Sequence, residues 1–311
     1  MALQITMKIT ISPPQALQEL GARQNQEDAL FPAFGQATAD DRLFLVCDGM
    51  GGHDHGEVAS QTVAEAIGNY ILQHMQAGLP LRDELLADAI TAAYDQLDAR
   101  DNPDDRRRMG TTLTLLCLHR GGATMAHIGD SRIYHVRPSE HRILYQSRDH
   151  SLVMDLYLAG ELTRDEMDTY EGRNVITRAM QPHQERRFRP DVVHTTDLRP
   201  GDLFLLCSDG IVELLTDSQL LNILCGDDSD DSLLQCLRTA TAAAADNHSA
   251  YLIRILGVEA EPSDAEAPNE EATSRANFVN IVRARENRPQ QPKQEENNTQ
   301  SWLHRILHKI F

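Results

Sequence analysis

Three apolar runs of strand-forming residues end in the same way, and that recurrence constrains the chain more than its composition does. FLVCDGMGG leaves Asp48, MAHIGDSR leaves Asp130 and FLLCSDG leaves Asp209, each carboxylate beside a glycine just past the run. A single acid there is usually a turn residue whose side chain caps local amides. Three of them, with Asp246 ahead of a fourth run at 250–256, call for a different reason to gather acids at strand ends.

The intervening sequence supplies the scaffold. Residues 43–47, 111–119, 123–128, 132–136 and 203–207 are β-favouring, and Gly-Gly and Gly-Asp separate the middle three as tight turns would. Val63, Ala66, Ile67, Tyr70, Ile71 and Met75 recur at three and four residues, which predicts a helix over 57–76. Leu85, Leu86, Ala89, Ile90, Ala93, Tyr94 and Leu97 predict a second, ended by the charged, proline-containing DNPDDRRR. A third helical pattern covers 232–245, with Asp246 and Asn247 at its end. Strands in series with amphipathic helices make an α+β fold.

Carboxylates crowded together repel one another, and a hard divalent cation with oxygen ligands is the usual remedy. Neither C-x-x-C pairs nor H-E-x-x-H is present, so zinc fits poorly and magnesium or manganese fits well. Two such ions about 3.5–4 Å apart can share a water, lower its pKa and aim it at phosphorus. The glycines after Asp48 let backbone approach a cation and offer a carbonyl.

Forty-seven acidic residues against 29 basic ones give a net charge of −18, which repels polyanions and excludes nucleic acid as a partner. Five cysteines is an odd count; Cys47, Cys117 and Cys207 stand inside apolar runs as small core hydrophobes, the usage of a reducing cytosol. MALQITMKIT lacks the pattern of a secretory leader, and no eighteen apolar residues run together, so the expected location is cytoplasmic.

The segments ARQNQEDAL, VCDGMGGHDHGEVAS, MGTTLTLL, AHIGDSRIY, SRDHSLV, NVITRAM, LLCSDGI and ADNHSAYLI follow one another over about residues 10–257. In order and spacing they resemble bacterial members of the protein phosphatase 2C family, the metal-dependent serine/threonine phosphatases. The resemblance implies a four-layer αββα sandwich of two mainly antiparallel sheets flanked by helices. It also implies that manganese or magnesium binds as two ions: Asp48 bridges them, Gly49 lends its carbonyl, Asp209 and Asp246 complete the first ion's ligands, and Glu27 acts through bound water. Asp130 with Asp209 would hold a third, weaker ion, and Asp28 would support the ligands from behind. Arg23 matches the family's phosphate-binding arginine, and its planar guanidinium suits two phosphate oxygens at once, although a salt bridge to Glu27 is the plain structural alternative. Catalysis would rest on Arg23, Asp48 and Asp209.

One position departs from the eukaryotic pattern. Met50 stands where those relatives carry a histidine after Asp-Gly, and His53 and His55 lie nearby. Residues 149–196, with a helical pattern in SLVMDLYLAGELTRDEM and a turn at Gly160, correspond to the family's flap. The implied activity is hydrolysis of phosphoserine and phosphothreonine by direct attack of metal-activated water, opposing a bacterial Ser/Thr kinase on phosphorylated proteins. An inactive phosphoprotein-binding scaffold of the same fold is the alternative.

The expected organisation is a catalytic domain at 1–258, a disordered polar linker at 259–300 and an amphipathic C-terminal helix at 301–311. In that last segment Trp302, Leu303, Ile306, Leu307, Ile310 and Phe311 share one helical face, apart from His304, Arg305, His308 and Lys309. Self-docking, a partner protein or the inner membrane surface, bound peripherally, would each cover such a face.

Overall fold

Alternation along strands that are buried on both faces builds the molecule. The computed structural model describes residues 6–51, 55–76, 79–101, 109–226 and 229–261, all within the first of two units into which the chain divides, Met1–Ser263. In chain order its strands are β1 (Thr6–Ile11), β2 (Gln15–Glu19), β3 (Ala29–Phe31), β4 (Leu43–Cys47), β5 (Gly49–Met50), β6 (Gly110–Thr111), β7 (Leu113–His119), β8 (Gly122–Ile128), β9 (Arg132–Arg137), β10 (Arg142–Gln146), β11 (Asp191–Thr195), β12 (Leu203–Cys207) and β13 (His248–Glu261). The α-helices are α1 (His55–His74), α2 (Asp83–Arg100), α3 (Leu152–Ala159), α4 (Arg164–Met167), α5 (Asp209–Val212), α6 (Asp217–Leu224) and α7 (Asp230–Ala240).

One sheet has the order β1-β13-β12-β9-β10, with β2 also paired to β13; the other runs β11-β8-β7-β4-β3, and β5 and β6 form a small ribbon. Every pairing is antiparallel. Leu43, Leu45 and Cys47 of β4 and Leu113, Leu115 and Cys117 of β7 pack under α1 and α2. Phe44, Val46, Leu116 and Leu118 from the opposite faces meet Phe204, Leu206, Tyr251 and Ile253 between the sheets. Leu203, Leu205 and Cys207 of β12 face α6 and α7. The layer order is therefore helices, sheet, sheet, helices, as the resemblance implies. Burial of both faces explains why these strands read as continuous apolar runs.

The antiparallel register carries the acids to one end. Cys207 of β12 lies opposite both Arg132, which opens β9, and Ala250, near the start of β13. Asp209, Asp130 and Asp246 therefore leave that sheet on the same side. In the facing sheet Leu113 of β7 pairs with Ile128 of β8, and Val46 of β4 with Thr114, so Asp48 emerges beside the β8–β9 link that holds Asp130.

Several elements differ from the sequence expectation. Helix α7 stops at Ala240, before the alanine run is finished: Thr241 caps it, its hydroxyl donating to Leu237 O, and Ala22 N–H donates to Ala245 O. The last alanines are recruited to the loop preceding Glu27, so tertiary pairing overrides helix propensity. The final strand is longer than 250–256 and pairs with both β1 and β2. The turn at Gly160 is present, with φ of 77° ending α3. Residues 262–311, which hold most of the expected linker and all of the C-terminal segment, lie outside the described residues, as does His53.

At the end of the sheets away from the acids, Arg137 is buried and donates to both oxygens of Asp202, at 2.8 and 2.9 Å, while His135 Nε2 lies 3.1 Å from Asp202 Oδ2. Removing one partner of such a pair strands a buried charge. Arg137→Met is expected to lower the urea unfolding free energy by about 3–5 kcal/mol while leaving turnover per folded molecule unchanged. Unaltered stability would show that the network carries no such strain.

Candidate active site

Asp48 is fixed from its backbone: its N–H donates to Thr112 Oγ1 at 3.0 Å, and its carbonyl accepts from Thr112 N and Thr111 Oγ1, both at 2.9 Å. Gly49 N–H donates to Glu27 O at 3.1 Å, and a side chain at Gly49 would strike Gly56 O and Glu27 O at 2.2 and 2.4 Å. Only glycine permits this approach, which brings the Glu27 segment against the Asp48 turn. The same Glu27 carbonyl accepts from Ser60 Oγ of α1, and Glu27 N–H donates to Asn247 Oδ1 at 2.8 Å.

Asn247 is the residue that sequence reasoning undervalued. Its Nδ2 donates to Leu20 O and Asn25 O at 3.0 Å each, so one side chain fastens the whole 20–27 loop to the start of β13. Arg23, on that loop, places Nη2 2.5 Å from Asp246 Oδ2 and is half-exposed. It forms an ion pair with Asp246, with Glu27 and Asp48 adding to the negative field around the guanidinium.

The carboxyls resist ionisation in this setting. Burial, followed by the charges of Asp209, Asp28 and Asp130, pushes Asp48 well above the ordinary carboxylate range. Asp130 is raised by burial and then by Asp209 and Asp149, and its Oδ1 has no hydrogen-bond partner. Asp209 is raised chiefly by burial, although a hydrogen bond with Asp48 works the other way. Asp28 is pushed up to about 7 by burial, against the Ser208 hydroxyl that donates to its Oδ2 at 2.8 Å. Acid oxygens without thiolates, one of them buried and unpartnered, suit a hard cation.

Two further features were not foreseen. Arg132 forms a bidentate pair with Asp149 at 2.7 and 2.6 Å just behind Asp130. His127, His150 and Asp191 bring possible ligand atoms within 4.8 Å of one another. One hydrogen bond argues against an ion there: His150 Nδ1 accepts from Gly129 N–H, leaving the ring proton on Nε2, whereas His127 Nε2 donates to Arg148 O and its Nδ1 has no hydrogen-bond partner. The two rings lie stacked, 4.7 Å apart and 11° from parallel, so their in-plane lone pairs do not converge. Met50 lies in β5 opposite Gly110, and His55 opens α1.

The family description "Protein phosphatase 2C" matches residues 19–256. The chain belongs to the protein phosphatase 2C family. Among curated relatives, protein phosphatase PhpP of Streptococcus pneumoniae is 30% identical over 223 residues, covering 70% of this chain and 88% of that one. The crystal structure of the Mycobacterium tuberculosis serine/threonine phosphatase PstP/Ppp superposes with a TM-score of 0.68 at 27% identity, over 81% of this chain and 100% of that one. The PstP catalytic domain in complex with two manganese ions gives 0.64 at 28% identity, over the same shares. This protein phosphatase 2C member is accordingly a serine/threonine phosphatase that uses manganese or magnesium. The inactive-scaffold alternative finds no support among these relatives.

Metal removal has a consequence with a definite sign. A carboxyl whose folded pKa is raised binds more protons folded than unfolded between about 4, its unfolded value, and its folded value, about 7 for Asp28. Folding stability therefore falls as pH rises through that window. The chelated protein is expected to melt at a higher temperature at pH 5 than at pH 8. Manganese is expected to raise the melting temperature most at pH 8, where cation replaces proton. Calorimetry across this range checks it, and a chelated protein more stable at pH 8 would contradict the acid cluster.

Proposed function

We propose that Asp48, the Gly49 carbonyl, Asp209 and Asp246 hold two manganese or magnesium ions, with Glu27 assisting through water and Asp130 holding a third ion. What supports this reading is the convergence of five acids, from separate parts of the chain, on one end of the paired sheets. Bound there, the metals would lower the pKa of water and draw charge from phosphate oxygens.

The chain's own residues do the remaining work. Arg23 has the donors for two phosphate oxygens, and its half-exposed position lets it turn from Asp246 to an incoming phosphate. Asp48 holds its carboxylate from a backbone bonded at both N–H and carbonyl. Asp28, bonded to Ser208, supports the floor of the site. Met50 has no proton to give to the departing alkoxide, so the proton comes from elsewhere in the site.

The substrates proposed are phosphorylated proteins, with a Ser/Thr kinase as the opposing activity. Among the described residues no helix is long and apolar enough to cross a membrane. The catalytic domain extends to Glu261, because Glu259, Ala260 and Glu261 pair with β1 in place of opening the linker expected from 259. A cytoplasmic location for it, a disordered polar linker from 262 to 300 and an amphipathic helix at 301–311 that docks on a protein or on the inner membrane complete the proposal. The pattern of Trp302, Ile306 and Phe311 supports that docking role.

Asp48→Asn is expected to abolish manganese-dependent hydrolysis of phosphoserine and phosphothreonine peptides in a protein that still folds. Ordinary turnover by this variant at saturating manganese would reject the assignment. Arg23→Ala is expected to raise KM for the peptide more than it changes the manganese requirement, with Lys restoring binding only in part. A lost manganese response at unchanged KM would instead make Arg23 a partner of Asp246 alone.

A further inference from the structure

The segments SRDHS and NVITR bracket residues 152–173 of the flap, and His150 stands where these two segments meet the turn that carries Asp130. His150 is buried and makes three directed bonds, two to Gly129 and one to Thr177. Its N–H donates to Gly129 O at 2.9 Å, its Nδ1 accepts from Gly129 N–H at 3.0 Å, and its carbonyl accepts from Thr177 N–H at 2.8 Å. Gly129 is therefore gripped through both of its backbone polar groups by one residue. It has φ of +105°, and a side chain there would strike Thr112 at 2.6 Å, so the turn has few alternative shapes.

The excursion between the two segments begins and ends at the same point. Ser151 bridges to Ile176, and Leu152 N–H donates to Val175 O at 2.8 Å. The far edge of the imidazole, Nε2, lies 3.4 Å from Asp191 Oδ2 and 3.3 Å from Arg178 Nη1. These outer contacts are long and reach exposed side chains, whereas the Gly129 contact is short and buried.

We propose that His150 is a positioning residue for the phosphatase reaction, its Nδ1 holding the Gly129 turn so that Asp130 stays in register with the base of the flap. This rests on the reading of Asp130 as the ligand of a third, weaker ion. The ring acts through its acceptor at Nδ1; bulk and stacking on His127 are secondary.

Two substitutions of similar polarity separate these roles. Asparagine places an amide oxygen close to the position of Nδ1 and keeps an acceptor for Gly129 N–H. Glutamine reaches toward the position of Nε2 and leaves that N–H without an acceptor. In the full-length protein, hydrogen exchange of the Gly129 amide and the manganese concentration for half-maximal phosphopeptide hydrolysis are measured, with Asp130→Asn as reference. His150→Asn is expected to match the unsubstituted protein in both. His150→Gln is expected to speed Gly129 exchange and raise the manganese requirement, each by about threefold to tenfold, the worth of one hydrogen bond.

Equal impairment by Asn and Gln would show that the ring's packing matters instead, and would overturn the proposal. So would a normal manganese requirement in His150→Gln alongside a raised one in Asp130→Asn, which would leave the Asp130 reading intact. A normal requirement in Asp130→Asn would remove that reading, and the present inference with it. The exchange measurement reports on the Gly129 bond in any folded variant, independently of activity.

Discussion

Repulsion among buried carboxylates is the constraint that the rest of this structure has to bear. Asp48, Asp130 and Asp209 arrive on separate strands from both sheets, and burial together with mutual charge drives each away from ionisation. A fold can hold such groups together only if the strands beneath them cannot drift apart. Here β4, β7 and β12 are buried along their whole lengths, with helices on one face and the opposing sheet on the other. An apolar interior packed in this way has no low-cost shear by which the acids could separate.

The two ends of the same sandwich show how different the arrangement could have been. Asp202, also buried, is held down at about 2 despite its desolvation, because Arg137 and His135 bond to it. Asp48 and Asp130, half-buried at the other end, move the other way among acids. The far end is neutralised within the protein. At the near end Asp48, Asp130 and Asp209 face one another's charge, which is the observation on which the proposed metal site rests. Its rigidity comes from backbone bonds: Glu27, Asp48 and Gly129 are each gripped at N–H and carbonyl, and their positions are not entrusted to side-chain packing alone.

This division governs what could be seen in advance. The strands that build the core were legible because both faces are apolar, and the acids because they follow those strands directly. Strands β1, β2 and β11 were not: TMKITI, QALQE and DVVHT mix polar and apolar residues and lie only partly buried at or near the margins of the sheets. The alanines after Ala240 carry a helical signal that the chain does not obey, since Asp246 and Asn247 must reach a loop more than two hundred residues earlier. No local pattern announces that Arg23 pairs with Asp246, nor that one asparagine fastens Leu20, Asn25 and Glu27 together. The family resemblance located Arg23 and Glu27; their partners are properties of the folded chain. The SRDHS segment offered a signal for Asp149 and His150, adjacent polar residues at the entrance to a flap, but only the structure shows what each one holds.

The flap illustrates how a rigid centre coexists with a variable surface. Its first part, residues 151–176, is closed by bonds at Ser151–Ile176 and Leu152–Val175, so that part is a closed excursion. Helices α3 and α4 within it are capped by their own residues, Ser151 and Thr163, and α4 buries only Met167. Changes in the exposed part need not propagate past the closing bonds, because the cost of a longer or shorter excursion rises only slowly with length. Residues on the exposed surface of this excursion can then differ while Asp130 stays where the Gly129 turn puts it. The exposed loop and the strand ends that carry the acids are thus separable in the chain.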